Sequence, residues 1–140
     1  MDEDRDPKAW VAELVQKLED GMPLDLADGE NVDVTQAAGW PKNRRLPGEA
    51  LRAALLSSDV RPDPRGLNIR AAYITGITDL ADFRLLFGLR FDSCAFEQPA
   101  DWSRITVASL HLKNCAAPGL TLNQAQIGET TSKAMHTSIQ

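Results

Sequence analysis

From Ile105 onward, apolar pairs at positions j and j+2 recur every five residues without a break: Ile105/Val107, Leu110/Leu112, Cys115/Ala117, Leu120/Leu122 and Ala125/Ile127. The period is neither the 3.6 of a helix nor the 2.0 of a strand. It suits a chain that makes a short extended side, turns a corner and repeats. Toward the N-terminus the pattern continues, with three steps of six, as Leu67/Ile69, Ala72/Ile74, Thr78/Leu80, Phe83/Leu85, Leu89/Phe91, Cys94/Phe96 and Ala100/Trp102. Of these 24 positions 23 are apolar, Thr78 excepted, in a chain that is 43% apolar; the unbroken stretch from Ile105 carries the period most cleanly.

Four such sides close one square turn of about twenty residues, with turns beginning at Leu67, Leu89 and Leu110. Parallel turns stacked ~4.8 Å apart bury their inward pairs against the turns above and below. The register predicts two columns, Leu67 over Leu89 over Leu110 and Ile69 over Phe91 over Leu112. The expected fold is therefore mainly β, a quadrilateral parallel β-helix of about three coils over residues 67–127.

The repeat resembles the pentapeptide-repeat family, whose units read A-(D/N)-(L/F)-x-x. Ala81-Asp82-Phe83 matches those letters best, two residues out of the register above, while most other units share the period without the letters. The segments LPGEALRAALL, RGLNIRAAYITG and LRFDSCAF are also similar to the N-terminal regions of larger actinobacterial pentapeptide-repeat-like proteins. The resemblance covers roughly residues 40–127. It implies a right-handed coil and carries over no functional residue.

Residues 1–66 read as a helical N-terminal cap region. Asp6-Pro7 supplies an N-cap and a first-turn proline, Trp10, Val11, Leu14, Val15 and Leu18 form an apolar stripe, and Gly21 stops the helix. A second helix begins near Pro47, with Ala50, Leu51, Ala54 and Leu55 on one face, and ends before Pro62 and Pro64. Between them LDLADGENVDV alternates around Asp28-Gly29, as a hairpin or a first partial coil would. Such a cap would cover the open end of the coil, where unpaired backbone otherwise invites edge-to-edge association. After Ile127 the five-residue pairs stop, and residues 128–140 read as a flexible tail.

Neither cysteine points to chemistry. Cys94 and Cys115 fall in one inward column of adjacent turns, near the separation a disulfide tolerates, but a small apolar side chain suits that corner better, and a metal site would need two more ligands. His111, between two inward leucines, should face outward. The acids Asp25, Asp28, Glu30 and Asp33 lack the alternation of a calcium loop and read as a solvated turn, and Lys42, Arg44 and Arg45 read as a solvated basic loop. No GxSxG, glycine-rich phosphate loop or HExxH is present, so no catalytic, cofactor or metal residue is assigned.

The net charge of −5 comes from residues 1–66, with 14 acidic and 9 basic side chains; residues 67–127 hold five of each. This is not a concentrated basic surface, and direct nucleic-acid binding is not expected. No apolar run approaches the ~18 residues of a membrane span. The acidic MDEDRDPKAW is unlike a signal peptide, so the expected location is cytoplasmic. The function expected is a non-catalytic protein-binding or scaffold module whose partner is another protein or a second copy. The resemblance brings in a DNA-mimicking topoisomerase (gyrase) inhibitor as the rival, but the balanced charge does not make a long acidic face. An accessory domain of an enzyme whose catalytic part lies elsewhere is a third reading. Candidate interface residues are Leu86 and Phe87 at one corner with Tyr73 and Ile77 nearby in the coil, and Leu120, Leu122 and Ile127 on the last coil.

Overall fold

The computed structural model describes residues 6–57, 60–128 and 130–133. Helix α1 (Pro7–Asp20) starts where Asp6 accepts the Lys8 N–H at 2.8 Å and ends at Gly21, whose φ of 66° lets its N–H return to the Lys17 carbonyl. Helix α2 (Gly48–Leu55) follows Pro47 and buries Ala50, Leu51 and Ala54. The buried faces of the two helices pack on each other, and α1 also packs on β3 (Leu67–Arg70). Trp10, Leu14 and Leu18 thereby join the core that contains Leu67 and Ile69.

The remaining strands are short and lie parallel in four sheets. The first sheet runs β1 (Leu24–Asp25), β3, β6 (Leu89–Asp92), β10 (Leu110–Lys113), β13 (Thr130–Lys133). The second is β2 (Arg45–Pro47), β4 (Tyr73–Thr75), β7 (Ala95–Phe96), extended by a bridge from Ala95 to Ala116. In the third, β8 (Ala100–Asp101) pairs with β11 (Leu120–Thr121), and Asp79 bridges to Asp101. The fourth is β5 (Arg84–Leu85), β9 (Thr106–Val107), β12 (Gln126–Ile127). From Leu67 on, the chain visits the four sheets in the same cyclic order each time round.

Both predicted columns are present. Leu67 pairs with Leu89 and Leu89 with Leu110, while Ile69 pairs with Phe91 and Phe91 with Leu112. All 16 inward positions from Leu67 to Val107 are buried, Thr78 among them, and the half-buried exceptions (Ala117, Leu122, Ala125, Ile127) all lie toward the C-terminal end. Three sheets meet in an aromatic cluster, with Phe91, Phe96 and Trp102 ring centroids 5.6–5.8 Å apart. The buried Trp102 indole N–H finds its acceptor in the Thr78 carbonyl at 3.2 Å.

Three expectations are corrected. Residues 24–25 and 45–47 are strands in parallel register with β3 and β4, so the N-terminal region is not only helical, and of the two readings of the Asp28-Gly29 segment the parallel pairing does not fit a hairpin. The tail does not begin at 128: Thr130–Lys133 pairs in register with Leu110–Lys113, because a parallel ladder is made by backbone groups and does not require the apolar pair. Residues 134–140 lie outside the described residues. Phe87, expected to face out, is 9% exposed and belongs to the core. It lies in a six-residue side, where the corner holds one residue more than a five-residue side provides, and the extra side chain folds under.

Candidate functional site

With the inward positions occupied by packing, any site must use the outer faces and corners. Of the candidate interface residues, Leu86 is 95% exposed and Ile77 67% exposed, the two most exposed large apolar side chains among the described residues. Leu120 is only 4% exposed, paired through Ala100 to the preceding turn, and so does not line an open surface; Leu122 and Ile127 are half-buried. Tyr73 is half-buried for a different reason. Val34 and Ala37, on a 3-10 turn over Val34–Gly39, and Trp40 that follows it form a second apolar cluster with Ala95 on the outer face of the second sheet, against which Tyr73 and Ala116 pack.

Beside Ile77 lies a groove of about 400 Å³ lined by Glu49, Arg52, Ala53, Leu56 and Asp79, with Leu56 55% exposed. Arg52 anchors α2 there: its Nε donates to the Asp79 carbonyl at 3.2 Å and its guanidinium lies 5.5 Å from the Phe83 ring centre. Sequence reasoning missed Leu56, which continues the apolar run Leu55-Leu56 beyond the buried face of α2.

The polar clusters are used structurally. Asp25 accepts hydrogen bonds from the Ala27 and Gly29 N–H groups and from Arg70, whose other amino group donates to the Glu30 carbonyl. Burial raises the Asp25 pKa, but these bonds and the Arg70 charge outweigh it and hold the carboxyl below its ordinary value. Asp33 caps the following turn through the Thr35 N–H. In the basic loop, Arg44 lies over Trp40 and Arg45 donates to the Ala38 carbonyl. Among the described residues, no three of His, Cys, Asp and Glu come together as metal ligands.

On the outer face of the first sheet the register builds a column of alternating charge, Asp25, Arg70, Asp92 and Lys113, beside a second column of Asn68, Arg90 and His111. Sequence reasoning weighed His111 alone; the register brings it into line with Asn68 and Arg90. No helix is long and apolar enough to cross a membrane among the described residues. Compared with known proteins, the chain matches no family model, no curated protein and no solved structure.

Proposed function

We propose that the chain is a non-catalytic binding or scaffold module, built as a right-handed quadrilateral parallel β-helix of the pentapeptide-repeat kind and capped by α1 and α2. The cyclic order of the four sheets supports the coil, as do the return of each column after 20 to 22 residues and the convergence of all four inner faces in one core. The observation that carries the binding role is Leu86. Its side chain is 95% exposed while Phe87 beside it is buried and its carbonyl accepts the Ala108 N–H, so an apolar group is presented on a corner whose backbone is pinned. Exposed apolar groups on a rigid frame mark interfaces when they gather with others, and Ile77 and Leu56 gather on a second site, a groove that Leu86 does not line. The alternating column favours a protein partner over DNA mimicry, because mimicry needs a face of one sign. The partner in this reading is a second copy of the chain or another protein that buries the same corner.

Sedimentation of the purified chain at micromolar concentration tests this. A self-associating species that Leu86→Lys converts to monomer is the expected result. A monomer indifferent to Leu86→Lys and Ile77→Lys, with no partner whose binding those changes abolish, would overturn the proposal.

A further inference from the structure

A groove of about 270 Å³ crosses the outer face of the first sheet where Asn68, Arg90 and His111 stand in one column. Its floor is bare backbone. The Leu67 N–H donates to the Gly88 carbonyl and the Leu89 N–H to the Ser109 carbonyl, and a Cβ on Gly66 would overlap the Gly88 carbonyl oxygen. Glycine at 66 and 88 thus keeps the groove open down to the main chain.

The polar groups around it are unevenly satisfied. Arg65 is committed to Asp63, with Nε at 3.0 Å and a terminal nitrogen at 3.3 Å, so those two charges cancel. Arg90 makes no ion pair among the described residues and is exposed. The Asn68 Oδ1 is buried without a hydrogen-bond partner, a state that costs free energy unless something occupies the space beside it. Rotated by half a turn, the Asn68 amide presents its NH2 group where the unpartnered oxygen lies. Ser109 adds a hydroxyl and His111 an imidazole on the same wall.

The end of α1 reaches the groove at Gly21, where free helix carbonyls would repel an anion. Two of its last four carbonyls are engaged: Lys17 accepts from Gly21 and Met22, and Leu18 accepts from the Asp63 N–H at 2.9 Å. Asp92 belongs to the neighbouring column, between Arg70 and Lys113.

We propose that this groove binds a small oxyanion, a phosphate or a carboxylate, held by the Arg90 guanidinium, the Asn68 amide, the Ser109 hydroxyl and the His111 imidazole over the Gly66–Gly88 floor. A planar guanidinium beside an amide and a hydroxyl matches an oxygen-rich anion better than a neutral ligand. The site adjoins the Leu86 corner at Gly88 but uses neither Leu86 nor Phe87, and its test does not require the chain to associate.

The test is a two-dimensional amide NMR titration with sodium phosphate and, separately, sodium acetate, ionic strength being held constant with sodium chloride. Saturable shifts at Gly66, Gly88, Arg90 and His111 are expected. Arg90→Ala should weaken binding at least tenfold and Asn68→Ala several-fold, while Arg84→Ala, on the fourth sheet, leaves it unchanged. The spectrum of each variant reports whether it is folded, and the two salts separate tetrahedral from planar recognition. Shifts that stay linear with both anions, or that persist in folded Arg90→Ala, would overturn the proposal.

Discussion

Arg104 holds the Asp82 carboxylate of the preceding turn with two hydrogen bonds, at 2.7 and 3.0 Å, and both residues have left-handed backbones, with φ of 59° and 65°. Gln124, φ 60°, continues that column, and Ala71, Ser93 and Asn114, φ 62°, 56° and 54°, make a second one. At these corners the main chain turns without losing its ladder. The N–H groups of Asp82 and Arg104 donate to the Ser103 and Asn123 carbonyls, and those of Ala71 and Ser93 to the Asp92 and Lys113 carbonyls. Each corner therefore exchanges local strain, about 1–2 kcal/mol for a residue with a Cβ, for a backbone bond to the next turn.

That strain can be released where the side chain has no other duty. Gln124 is exposed, so Gln124→Gly should raise stability by about 0.5–1 kcal/mol, and Gln124→Val, branched at Cβ, should lower it by about 1 kcal/mol or more. Thermal melts of the two variants check this. A melting temperature that falls with glycine would mean that flexibility in the unfolded chain outweighs the relief.

Acid should weaken the same corner. The Arg104 hydrogen bonds hold Asp82 below its ordinary value of 3.8, and the Ser103 hydroxyl and N–H do the same for Asp101. A carboxylate with a lowered folded pKa contributes stability that is complete above the unfolded value and is lost as pH falls through the folded one. Denaturant midpoints should be flat from pH 7 to about 5 and then decline below about 4. In Asp82→Asn the decline should be shallower. An equally steep decline would assign the acid sensitivity to other carboxylates.

The inner register was legible because each inward pair must be apolar whatever turns follow it. Leu110 shows the consequence: it is wholly buried beside Leu89, while His111 next to it is only half-buried on the outer face. Leu110→Ala should cost about 2–5 kcal/mol through the cavity it leaves, and His111→Ala under about 1 kcal/mol. Equal losses in chemical denaturation would contradict the five-residue register.

The outer features were less legible, because burial on the outer faces of these sheets follows no period. Val34, Ala37 and Trp40 pack on Ala95 only through a loop whose path no spacing specifies, though two alanines outward at 95 and 116 hint at a covered face. Thr130–Lys133 pairs in register with Leu110–Lys113 through backbone groups, which no five-residue apolar pattern signals. Asn68, Arg90 and His111 lie 21 to 22 residues apart in sequence and become neighbours only once the register is known.

Leu86 and Phe87 separate surface from core within one corner. Phe87→Lys forces a charge into the core beside Phe83 and Leu85 and should cost about 3 kcal/mol or more. Leu86→Lys changes a side chain already in solvent and should leave monomer stability within about 0.5 kcal/mol. Both values come from urea unfolding at low concentration, where association does not contribute. If Phe87→Lys were as mild as Leu86→Lys, the corner would turn its phenylalanine outward in solution.

Cys94 and Cys115 are stacked on adjacent turns, both wholly buried, and their thiols point at main-chain carbonyls, Cys94 at Ile69 (3.4 Å) and Cys115 at Phe91 (3.2 Å). Burial pushes the Cys94 thiol well up, whereas a hydrogen bond from Cys94 favours the thiolate of Cys115 and makes it the first of the pair to ionise. Ionisation alone does not confer reactivity, because a thiol reagent must also reach the sulfur, and the stacked turns leave no exposed surface at either one. Labelling with an aromatic disulfide reagent should therefore be slow in the native protein, with a rate that rises with urea in step with unfolding. Cys115, on the less buried C-terminal side, should react before Cys94. Fast labelling of both thiols without denaturant would place them outside the core and with them the whole inward column from Ala72 to Cys115.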